Sequence, residues 1–68
     1  MRSFEVFETA YAAFEQIQKS NVTHTVTNGI AAIEKCASDR RITLDNDEMR
    51  RAVLTLAGIL KRSVFYKN

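Results

Sequence analysis

Apolar residues return along this chain every three to four positions in three separate stretches, the period of amphipathic helices. The first stretch predicts a helix over about 4–19, with Ser3 as its N-cap. Phe4, Phe7, Tyr11 and Phe14 form one stripe, and Val6, Ala10, Ala13 and Ile17 form the adjoining one. Together they cover about half the circumference, wider than the stripe of ~100° on an ordinary surface helix. The aromatic stripe is expected at the heart of the core. A role for these rings in stacking on bases is not favoured, because Glu5, Glu8 and Glu15 surround them where basic residues would be needed.

The second stretch admits two readings. Val22 to Thr27 alternates and is rich in β-branched residues, as a strand would be. Yet Val22, Val26, Ile30, Ile33 and Ala37 also share one helical stripe. A strand here would have no partner elsewhere in the chain, which favours a helix over about 22–38. Its first turns are expected to be irregular, and Asn28-Gly29 is a point of interruption.

The third stretch carries the clearest local signal, predicting a helix over about 46–66. Asp45 as N-cap and Glu48 three residues on make a variant capping box, and Leu44 and Met49 have the spacing of a hydrophobic staple. Met49, Ala52, Val53, Leu56, Ile59, Leu60, Ser63 and Val64 fall on one arc, the expected core face. Nearly opposite lie Leu54, Gly58 and Phe65, bordered by Arg50, Arg51, Lys61 and Arg62. A helix packed only within its own domain needs one apolar face. The second stripe therefore reads as a partner-binding surface, and a glycine within it suits close approach by another helix.

Size sharpens that reading. A chain of 68 residues lies near the lower end of what folds without staples. Cys36 is the only cysteine, so no disulfide can form within the monomer, and one Cys with one His cannot complete a structural zinc site. Idealised helical packing or self-association remains, and the second stripe of the last helix fits the latter. With no proline, two glycines and no repeat, the chain reads as a single all-α three-helix domain over 1–68, expected to dimerise.

The lone cysteine and the lack of an apolar leader point to a cytoplasmic setting. No apolar run approaches the ~20 residues that cross a bilayer. Asn21-Val22-Thr23 matches a glycosylation sequon, which has no meaning without a secretory route. The net charge of +2 is unevenly spread, acidic in the first helix and basic at Arg40, Arg41 and along the last to Lys67.

Catalytic chemistry finds no foothold. Asp45 to Glu48 resembles a calcium loop only superficially, because Arg50 stands where the loop requires glycine. His24 and Cys36 would lie about 18 Å apart along one helix at ~1.5 Å per residue, too far for a nucleophile and its base. No nucleophile elbow or phosphate-cradling loop is present. No enzyme, cofactor or metal is expected. The leading expectation is a small regulatory or inhibitory protein acting by protein–protein binding, the niche of bacterial accessory proteins and phage-encoded inhibitors. Nucleic-acid binding through the basic face is the second, weakened by the acidic first turn of the last helix.

Overall fold

The computed structural model describes the backbone over residues 3–66 and side-chain surroundings over residues 3–62. It contains three helices, α1 (Ser3–Ser20), α2 (Val26–Asp39) and α3 (Asn46–Tyr66), and no strand among the described residues. Glu8 reaches Arg40 and Gln16 reaches Cys36, so α1 and α2 run in opposite senses. Gly29 packs on Leu56, while Ala37 and Met49 border one cleft near the α2–α3 connection. These two helices also oppose one another, leaving α1 and α3 parallel.

The ends of the helices follow local chemistry. α1 ends on Asn21 at φ 55°, whose N–H donates to the Ile17 carbonyl at 3.0 Å. After α2, Arg41 takes φ 58°. Its N–H donates to the Ser38 carbonyl at 3.0 Å, and that of Ile42 to the Ala37 carbonyl at 2.8 Å. This pair of bonds is a Schellman motif, with arginine in the position that favours glycine. Before α3 the capping box is present in both directions. Glu48 N–H donates to Asp45 Oδ1 at 2.8 Å, and Asp45 N–H donates to Glu48 Oε1 at 3.0 Å. Leu44 and Met49 flank it, half-buried against the core.

Four sequence expectations need correction. Ser3 is already helical and so is not the N-cap of α1. α2 starts at Val26, four residues later than its stripe suggested. Thr25 is an extended N-cap whose Oγ1 accepts from Asn28 N–H at 3.1 Å, and Asn28 Nδ2 donates to the Thr23 carbonyl at 2.8 Å. The β-branched run therefore ends in a cap, and Val22 and Val26 stay exposed. Asn28-Gly29 does not interrupt the helix, because Asn28 belongs to the cap and Gly29 is buried against α3. A Cβ on Gly29 would lie 3.2 Å from Leu56 Cδ2, so the close helix approach within this chain is here and not at Gly58.

The fourth correction concerns the core itself. It is built from Val6, Ala10, Ala13 and Ile17 of α1, Ala32, Ile33 and Cys36 of α2, and Ala52 and Leu56 of α3. Alanine on all three helices permits a close approach of their axes. Three rings of the aromatic stripe face outward instead, with Phe4 at 73%, Phe7 at 52% and Tyr11 at 46% exposure, while Phe14 packs half-buried against the core. Thr9, fully buried, takes a place in the seam by donating its Oγ1–H to the Glu5 carbonyl at 2.7 Å.

Candidate interaction surface

The displaced rings and the second stripe of α3 meet on one side of the molecule. A shallow cleft is lined by Ser3, Val6 and Phe7 of α1 and by Arg51, Leu54 and Thr55 of α3. It continues into a second, lined by Phe7 with Leu54, Thr55, Gly58, Ile59 and Arg62. Phe7 and Leu54 border both, so the apolar excess of α1 and that of α3 form one surface. Leu54 is 65% exposed, and nothing lies within 4 Å of the place a Gly58 Cβ would occupy. Along α1 the rings of Phe7 and Tyr11 stack at 6.4 Å, and Tyr11 and Phe14 meet tilted at 5.9 Å. The rings are thus held in a ladder and are not independent surface residues.

The order of side chains across this face follows from helical spacing. Glu8 sits on the flank of α1 that faces α2, paired with Arg40 at 3.4 Å, and Glu15 lies two turns further on the same flank. Phe4 and Tyr11 come next, then Phe7 at the cleft. Across the cleft stand Arg51 and Arg62 beside Thr55, then Leu54 and Gly58. Ala57 borders a separate groove against α2, with His24, Val26, Val53 and Leu60. Arg50 and Lys61, seven residues before Ala57 and four after it, mark that far flank. All four basic residues are exposed.

The site residues expected from sequence are thereby placed. Arg51, Leu54, Gly58 and Arg62 lie in or beside the shared cleft, while Arg50 and Lys61 form its outer rim. Phe65 and Lys67 lie outside the described side chains. Phe4, Phe7 and Tyr11, whose stripe is expected at the heart of the core, belong to the surface. The signal that could have placed them is the run of small residues on the neighbouring stripe, matched by small residues on both other helices. α2 gives the contrast: Ala31, Glu34, Lys35 and Ser38 are exposed, an ordinary polar outer face.

Titratable groups elsewhere offer little chemistry. Cys36 is buried, its thiol donating to Gln16 Oε1 at 3.5 Å. Burial pushes its pKa up, Asp39 adds to that rise, and Arg40 and Lys35 oppose it. A thiol so placed is a poor nucleophile at neutral pH. His24 is exposed in the α1–α2 connection, off the helix that carries Cys36. Among the described residues no three His, Cys, Asp or Glu gather to hold a metal, and no helix is long and apolar enough to cross a membrane. Compared with protein families, curated proteins and solved structures, the chain matches none.

Proposed function

We propose that this chain is a small non-enzymatic protein that regulates or inhibits another protein, meeting it through the outer face of α1 and α3. The observation that carries this reading is the continuity of Phe7, on which Tyr11 stacks, with Leu54 and Gly58 across the cleft. Scattered exposed apolars are ordinary on soluble proteins, but a joined patch with a charged rim is the usual anatomy of a docking surface. Aromatic anchors in such patches supply most of the affinity, and the flanking charges mainly set orientation and rate. We place its action in the cytoplasm, in keeping with a single free thiol. Affinity capture from the native cell after nuclease treatment tests the proposal, with the wild type and Leu54→Asp side by side. A protein retained by the wild type and lost with Leu54→Asp is the expected result. Equal capture by both would remove this face from the function.

Nucleic-acid binding stays as the second reading because the rings are exposed. Phe7 now stands beside Arg51 and Arg62, the combination that stacks bases and tracks a phosphate backbone. On this reading single-stranded probes bind at low salt, with a slope of about −0.7 per phosphate contact. Phe7→Ala would weaken such binding, and its persistence through excess competitor would promote this reading over the first.

A further inference from the structure

We infer that the resting occupant of the α1–α3 face is a second copy of this chain, related by a two-fold axis that runs along the helices. The inference rests on reading the face as a protein-docking surface and names what covers it. A regulated protein then competes with the second copy for the same rings.

Charge and shape across the face select this arrangement. From one edge to the other the side chains run acidic, aromatic, cleft, then Arg51 and Arg62 beside the cleft, aliphatic, and basic again at Arg50 and Lys61. A two-fold axis along the cleft lays that order on its own reverse, as an isologous interface requires. Glu8 and Glu15 of one copy then border Lys61 of the other, and the protruding Phe4 and Tyr11 meet Leu54 and Gly58. Heights agree as well. Phe7 is level with Leu54 and Gly58, since all three line one cleft. An axis along the helices preserves height, so Tyr11, one turn beyond Phe7, comes level with the region between Gly58 and Arg62. There the open space over Gly58 receives the ring. A two-fold axis across the helices does the opposite. It sets α1 on α1 and α3 on α3, acid against acid and base against base, which opposes association.

The monomer also has reason to gain a partner. Among the described residues the largest side chains with essentially no exposure are Ile17, Ile33 and Thr9, while Phe4, Phe7, Tyr11 and Leu54 remain in water. Pairing by the along-helix axis covers these four together on each copy.

Sedimentation equilibrium across the micromolar range, with circular dichroism on every variant, tests the arrangement. The wild type is expected to dimerise, and Leu54→Asp to stay folded and monomeric. Lys61→Glu changes attraction to repulsion at two symmetric places and should raise the dissociation constant by about tenfold. Glu15→Lys should do the same. Combining Lys61→Glu with Glu15→Lys in one chain exchanges the charges and should bring the dissociation constant back toward the wild type. Additive weakening in the combined variant would overturn the along-helix axis. A wild type that stays monomeric would overturn the second copy as occupant. If Leu54→Asp still abolishes capture of a cellular protein by that monomer, the docking reading stands alone. If it does not, both fall.

Discussion

Arg41 occupies the left-handed region at φ 58°, where a Cβ crowds the following carbonyl. Glycine removes that crowding while keeping both Schellman bonds, although it costs more backbone entropy on folding. Arg41→Gly should therefore stabilise the fold by about 0.5–1 kcal/mol, read from the urea midpoint at unchanged slope. The two glycines separate in the same way. Gly58 lies on an exposed helix face with open space, so Gly58→Ala should add up to ~1 kcal/mol of helix stability at concentrations too low for association. Gly29→Ala must push Leu56 Cδ2 from a 3.2 Å approach and should fall clearly short of that gain. Equal gains at both positions would contradict the packing of α2 on α3.

At the level of elements, caps decide where each helix begins. Asp45 and Glu48 satisfy one another's backbone donors, so Asp45→Ala should cost about 1 kcal/mol and fray the start of α3. Amide exchange at residues 46–49 is the readout, with the middle of α3 little affected. This capping box was legible in the sequence because it depends on two residues three apart. The start of α2 was less legible, since Thr25 and Asn28 compete with a hydrophobic stripe that reads through to Val22. Side-chain bonds to the backbone won there, and two valines were left exposed. The Schellman end of α2 was not legible either, because its residue in the left-handed region is arginine.

For the whole molecule, three helices and the Leu54 stripe opposite Leu56 could be read directly from periodicity. The outward aromatic stripe could not, because periodicity gives the faces of a helix but not the distance to its neighbours. That distance is set jointly by Ala10, Ala13, Ala32 and Ala52, residues far apart in sequence. The same packing divides two leucines of α3. Leu56 is 2% exposed, so Leu56→Ala should destabilise by roughly 2–5 kcal/mol, seen as a lower thermal midpoint. Leu54→Asp should leave that midpoint nearly unchanged under dilute conditions, since Leu54 is 65% exposed.

On the proposed function, the outer face of α1 and α3 is where this protein is bound by others. Backbone amide chemical shifts, followed as protein concentration rises and again as a captured partner is added, test it most directly. The account requires shifts concentrated at Phe4, Phe7, Tyr11, Leu54 and Gly58, with Ala31, Glu34, Lys35 and Ser38 on the outer side of α2 unmoved. Shifts centred on α2, with the aromatic face silent in both titrations, would contradict it.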